Sequence, residues 1–193
     1  MVRTNPSGGV LLAALLLTGA CAASSGHPGS PDSSYRQGQA HLGEGRYDEA
    51  IASFTRAIEL EPRFLRAYSE RGYAYGSIGQ YDRAIADHTK VLEIDPRYAR
   101  AYNNRGYAYF QTGQYDRAMA DLTMALKLDP RYATAYLNLG NVHARQRQYD
   151  HAIAAYTRAL ELTQTWRGPT ITGAPSTPTP DGTIARFRTS TER

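Results

Sequence analysis

The stretch Tyr81-Asp82-Arg83-Ala84 returns as Tyr47-Asp48-Glu49-Ala50, as Tyr115-Asp116-Arg117-Ala118 and as Tyr149-Asp150-His151-Ala152, each copy 34 residues from the last. Self-similarity at that fixed period marks one supersecondary unit copied end to end, not a chain that closes on a single globular core. Aligning on the period gives units of roughly 31–64, 65–98, 99–132 and 133–166.

The remaining positions repeat in step. Tyr68, Tyr102 and Tyr136 open their units, and a glycine follows four residues on, at Gly72, Gly106 and Gly140, with Gly38 at the same place in unit one. The second halves carry Ala50, Ala84, Ala118 and Ala152, then Ala57, Val91, Ala125 and Ala159. Small residues at such points let two helix backbones approach closely, while bulky ones (Tyr75, Leu92, Ile94) recur at helical spacing between them. Each unit therefore reads as two short antiparallel helices, broken mid-unit at Gly79 and Gly113 and ended by Pro62, Pro96 and Pro130. Asp48, Asp82, Asp116 and Asp150 are expected to N-cap the second helices, where a side-chain oxygen satisfies free backbone N–H groups.

This pattern of bulky aromatic, glycine, tyrosine, paired alanines and closing proline resembles the tetratricopeptide repeat (TPR). The resemblance covers about 31–166 and is most specific in units two and three. The outer units depart from it. Ser34 replaces the opening aromatic, His41 and His143 stand where Tyr75 and Tyr109 sit, Arg147 replaces the mid-unit glycine and Gln164 the proline. Degenerate outer units are expected of caps, which meet a neighbour on one face only. The expected fold is all-α, an α-solenoid of four helix-turn-helix units over 34–166.

The chain has 193 residues, a net charge of +4 and a pI near 9.2. Acids and bases alternate along the repeats, which describes a solvated, salt-bridged surface and not a nucleic-acid footprint. The first residues are of another kind. Arg3 precedes an apolar run from Val10 to Leu17, followed by small residues through Ala23. That is the layout of a secretory signal, over about 1–20, and the run is too short to span a bilayer. Leu17-Thr18-Gly19-Ala20-Cys21 resembles a bacterial lipobox, with Thr18 where Leu is more usual. It implies acylation of Cys21, the sole cysteine, with 21–33 as a flexible tether and a lipid anchor in the cell envelope facing the periplasm. Cleavage after Ala22 or Ala23 would instead leave a soluble periplasmic or secreted protein. From 167 to 193 the chain is rich in Pro, Thr and Ser without apolar periodicity and reads as disordered.

No catalytic constellation emerges. The five histidines are scattered at repeat positions that elsewhere hold other side chains, no pair has metal-ligand spacing, and no glycine-rich phosphate loop is present. Cys21 precedes the folded region. No cofactor, no metal and no enzymatic activity are expected.

Comparing the copies with one another yields one charge pair. Arg71 and Arg105, where the TPR pattern prefers Leu, occur in the same two units as Asp87 and Asp121. Units one and four hold Gln37 with Ser53 and Leu139 with Ala155. Charges that appear and vanish together suggest contact, so Arg71–Asp87 and Arg105–Asp121 are expected as structural interhelical salt bridges.

Stacked helix pairs curve, with the first helices lining the concave side. Carried over from the family, the inward positions fall on Arg66, Ser69, Glu70, Tyr73 and Ser77 in unit two. Unit three places Arg100, Asn103, Asn104, Tyr107, Phe110 and Gln111 there, and unit four Asn138, Asn141 and Arg145. Asn104 and Asn138 occupy one position in successive units. Their amides both donate and accept, a ladder suited to an extended peptide backbone, with Tyr73, Tyr107 and Phe110 adding apolar contact. The carboxylate clamp of chaperone-binding TPRs is not expected, since Ser69, Tyr73 and Thr134 stand where it needs Lys or Asn. The resemblance thus implies a non-catalytic scaffold that binds a protein or extended peptide. The alternatives are a lipid-anchored assembly factor and a regulatory subunit of a cell-wall enzyme. No clear apolar stripe is visible outside the core positions.

Overall fold

A computed structural model of the chain describes residues 29–164. The expected signal segment, Cys21, most of the expected tether and residues 167–193 lie outside the described residues. Eight helices follow one another: α1 (Pro31–Gly43), α2 (Tyr47–Leu60), α3 (Leu65–Ser77), α4 (Tyr81–Ile94), α5 (Ala99–Gln111), α6 (Tyr115–Leu128), α7 (Ala133–Arg145) and α8 (Tyr149–Gln164). Among the described residues there is no strand. The first helix starts three residues before the expected boundary at 34. Ser30 caps it by accepting the Ser33 N–H at 3.1 Å, and Pro31 occupies its first turn.

Within each unit the two helices are joined by a left-handed residue. Gly45, Gly79 and Gly113 have φ of 73°, 77° and 75°. Each lets the following N–H, of Arg46, Gln80 or Gln114, turn back to the carbonyl of His41, Tyr75 or Tyr109 at 2.8–2.9 Å. That is the Schellman closure of a helix C-terminus. Unit four makes the same turn on Arg147, at φ 59°.

This closure overturns the expected N-caps. Helices α2, α4 and α6 begin at the tyrosine, with Arg46, Gln80 and Gln114 at the cap and no side-chain cap hydrogen bond. The carboxylates of Asp48, Asp82, Asp116 and Asp150 sit inside the first turn instead. There they favour the helix through its positive N-terminal dipole, worth a few tenths of a kcal/mol to about 1. At the far ends of α2, α4 and α6 the caps Glu61, Asp95 and Asp129 are extended, and Pro62, Pro96 and Pro130 follow them.

The repeated small residues do close-approach work. A Cβ on Gly38 would come within 2.5 Å of Phe54, one on Gly72 within 2.9 Å of His88, one on Gly106 within 2.9 Å of Leu122, and one on Gly140 within 2.5 Å of Tyr156. The four partner side chains share one repeat position, so each unit seats a single side chain of its second helix on a bare backbone of its first. Phe54, His88 and Leu122 are fully buried there, together with the alanines at 50, 57, 118, 125 and 135.

Helices pack on their sequence neighbours throughout. Beyond those, first helices approach one another (α1 with α3, α3 with α5, α5 with α7), whereas among the described residues no second helix approaches another. The array therefore bends with α1, α3, α5 and α7 on its inner side, which is the concave surface of a solenoid.

Candidate binding groove

The inner helices present their residues in a line that crosses unit boundaries. Arg66 pairs with Asp32 at 3.6 Å and stacks on Tyr35 and Phe64. One unit on, Arg100 binds Glu70, Nη1 to Oε1 at 3.0 Å. Burial works against the Arg100 charge, and Glu70 outweighs it and holds the guanidinium above its ordinary range. Two expected groove arginines are thus already engaged by acids of the preceding unit.

The third boundary is made of amides. Asn138 Nδ2 donates to Asn103 Oδ1 at 2.9 Å, and Asn103 Nδ2 donates to Asn104 Oδ1 at 3.0 Å. Asn103 is 3% exposed, too buried to meet a peptide directly. The ladder expected from Asn104 and Asn138 is therefore bridged by a buried third amide, which fixes their orientation. The chain of donors leaves Asn104 Nδ2 buried without a hydrogen-bond partner.

Around these amides lies a cavity of about 390 Å³, lined by Tyr73, Tyr81, Tyr107, His88, Asn104 and Asn138 among others. Tyr73 and Tyr107 are 45% and 37% exposed, and Tyr107 meets Tyr81 edge-on with ring centres 6.4 Å apart. Large aromatic side chains held open to solvent in a concavity are the groups that dominate recognition surfaces.

The remaining expected groove residues differ in what engages them. Phe110 turns against Tyr115, 5.9 Å between ring centres, and packs on the core around Leu122. Its long apolar ring is better buried against α6 than in the open channel. Asn141 accepts a hydrogen bond from Tyr156 Oη at 2.8 Å, and Arg145 is exposed. Tyr81 and His88 belong to the cavity although only the inner-helix positions were expected there.

Behind the groove, Arg71 holds Asp87 with Nε to Oδ2 at 2.8 Å and Nη2 to Oδ1 at 2.7 Å, and Arg105 holds Asp121 the same way at 2.7 and 2.9 Å. The third guanidinium nitrogen reaches Thr55 or Thr89 of the preceding unit. Each arginine also lies near two tyrosine faces, Tyr68 and Tyr75 or Tyr102 and Tyr109, at 5.5–5.9 Å. Burial opposes the Arg71 charge, but the Asp87 carboxylate outweighs it and raises the guanidinium. Burial likewise pushes Asp87 upward against the pull of Arg71. Two parallel bonds below 3 Å are the geometry of an ion pair, and we read both pairs as charged. These arginines are structural.

Among the described residues no group of three or more His, Cys, Asp or Glu could hold a metal ion. None of the described helices is long and apolar enough to cross a membrane.

Models of the TPR repeat match residues 38–79, 77–113 and 106–147, and a model of the tetratricopeptide repeat matches 133–164. No curated protein matches. Among solved structures, the chain is similar to MamA 41-end from Desulfovibrio magneticus RS-1, at 27% identity and a TM-score of 0.66, over 71% of this chain and 77% of that one. It is also similar to the Arabidopsis OM64 TPR domain, at 27% identity and a TM-score of 0.58, over 59% of this chain and 94% of that one. At 24% identity the first TPR of Spaghetti (RPAP3), bound to the HSP90 peptide SRMEEVD, shares the fold, with a TM-score of 0.59 over 61% of this chain and 93% of that one.

Proposed function

The chain belongs to the tetratricopeptide-repeat family, a protein-interaction fold, and on that premise we propose that it is a non-catalytic scaffold that grips an extended segment of a partner protein in its concave groove. The observation that carries this reading is the pair of half-exposed tyrosines, Tyr73 and Tyr107, flanking amides pre-oriented by Asn103. A similar fold holds a peptide in the RPAP3 structure. Arg66 and Arg100, already paired with Asp32 and Glu70, are poor candidates for a terminal-carboxylate clamp. Backbone hydrogen bonds at about 1 kcal/mol each, with two aromatic contacts, support roughly micromolar affinity.

The site of action we propose is the bacterial envelope, with Cys21 acylated and the repeats facing the periplasm. The signal-like start of the sequence and the lipobox resemblance support it. Replacing Cys21 by Ser and following membrane fractionation tests the anchor, and membrane association that is unchanged in that variant contradicts it.

A second reading, docking of a larger assembly, is favoured by one observation. Helix α8 turns Tyr149, Ile153 and Leu160 outward, with Ile153 63% exposed. At the same positions of unit three, Tyr115, Met119 and Leu126 pack against the core that holds Ala135 and Val142, so the repeat pattern alone does not display them as a surface stripe. Crosslinked pull-downs with the mature chain separate the readings. Asn104→Ala/Asn138→Ala removes partner capture by the groove, whereas Ile153→Glu/Leu160→Glu removes capture by the end face.

A further inference from the structure

The cavity lined by α3, α4, α5 and α7 sits where unit two differs from units one and three at two positions. Gly76 stands where unit one has Leu42, unit three has Phe110 and unit four has Ala144. A Cβ built on Gly76 meets nothing closer than Ala84 Cβ at 4.0 Å, so the space beside it is open. His88 stands where the other units seat Phe54, Leu122 or Tyr156 on the facing glycine. A leucine suffices for that packing job, as Leu122 shows, so packing does not explain an imidazole there.

Two polar atoms on residues lining this cavity are unspent. His88 is 1% exposed, and its Nδ1 has no hydrogen-bond partner. Asn104 Nδ2, the free end of the amide chain, has none either. Buried polar atoms without partners are uncommon and mark places where a ligand, ion or water belongs. No lining residue is Asp, Glu, Lys or Arg. The nearest guanidinium groups, of Arg100 and Arg105, are occupied by Glu70 and Asp121. A charged guest would give up its hydration with no counter-charge to meet it, while an apolar guest would leave the orphaned nitrogens unpaired.

We propose that this notch is a specificity pocket for one uncharged, hydrogen-bonding side chain of the bound peptide, a Gln or Asn carboxamide lying between Tyr73, Tyr81 and Tyr107. The inference rests on the groove reading and adds to it a residue preference at one position. The carboxamide oxygen accepts the Asn104 Nδ2 proton, and its NH2 donates to the lone pair of the neutral imidazole. Losing such a partner discriminates strongly, because the pocket's own polar groups are then buried unpaired.

Two variants disable the pocket while keeping the fold, one by removing the imidazole and one by filling the space beside it. His88→Leu installs the side chain of unit three, and Gly76→Leu installs that of unit one into open space. NMR titration of the full TPR domain with N-acetyl-glutamine-methylamide should shift the Asn104 side-chain amide signals, with N-acetyl-leucine-methylamide binding at least about tenfold more weakly. Both variants should melt at or above the parent temperature and lose the glutamine response. Equal response to the two probes, a stronger response to N-acetyl-glutamate-methylamide, or a glutamine response that survives both variants would overturn the proposal. Pools of extended peptides with one fixed residue report on the groove separately. Pools bound by both variants without any change of residue preference sink the pocket and leave the groove reading standing, whereas a wild-type domain that binds no pool sinks the groove reading itself.

Discussion

Arg71 grips Asp87 through two nitrogens, at 2.8 and 2.7 Å, and sends its third to Thr55 of the preceding unit at 3.0 Å. One side chain thus ties α3 to α4 and unit two to unit one. Removing a single partner strands a charge in a site where both side chains are less than a fifth exposed. Asp87→Ala should therefore cost about 3 kcal/mol in urea unfolding. Unit four does without the pair, holding Leu139 and Ala155. The double variant Arg71→Leu/Asp87→Ala copies that solution and should recover most of the loss. A double variant as unstable as Asp87→Ala alone would show that the pair stabilises by more than cancelling its own burial.

Burial, with Arg100 and Arg105 nearby, pushes the His88 imidazole down to about 3. Its folded value lies below its unfolded one, so the fold favours the neutral ring. The stability this ring permits is fully present above pH 6.5 and is lost as pH falls from there towards 3. His88→Leu removes that loss. The stability difference between variant and parent should be constant above pH 6.5 and widen below it by about 1.4 kcal/mol per pH unit. Chemical unfolding at a series of pH values reads this directly, and parallel curves across the acid range would refute a buried neutral histidine.

Arg147 takes the left-handed turn that glycine makes in the other three units, at φ 59°. For a residue with a Cβ this conformation costs about 1–2 kcal/mol, part of which glycine returns through its freer unfolded chain. Arg147→Gly should raise stability by about 1 kcal/mol, seen as a higher urea midpoint at unchanged slope. A lowered midpoint would mean that the arginine side chain makes contacts worth more than the strain.

Gly106 seats Leu122 and lies 3.2 Å, measured from a built Cβ, from the Ala118 carbonyl. Backbone cannot step aside as a flexible side chain can. Gly106→Ala should destabilise by about 1–3 kcal/mol in spite of the better helix propensity of alanine. An unchanged melting temperature would show that α5 and α6 have slack at this crossing.

The repeat period made the eight helices legible, because glycine, alanine and proline punctuate each unit where backbones touch or turn. The Arg71–Asp87 partnership could be read from which units carry both charges. The same comparison extends to Tyr75 and Tyr109, whose rings face the arginines in the same two units. His41 and His143 stand at this position where the arginine is missing. The N-caps were misplaced because the glycine closure sets the helix start two residues earlier, a matter of backbone hydrogen bonds that residue types do not encode. The groove was legible by position but not by engagement. Periodicity puts Arg66, Arg100 and Asn103 on the inner face, yet their partners lie in other units and their burial depends on how the units stack. His88 was hidden for a related reason, since an outer-helix position becomes groove floor only when Gly76 opens the way to it.

The groove is tested most directly by binding of fluorescent extended-peptide pools to the purified domain, followed by anisotropy, for the parent and for Asn104→Ala/Asn138→Ala. The account predicts Kd values around 10 µM for the best pools and a loss of at least about tenfold in the variant, assayed below its melting temperature, which falls because the buried Asn103 amide loses both partners. Equal affinity of parent and variant for the same pools would contradict it.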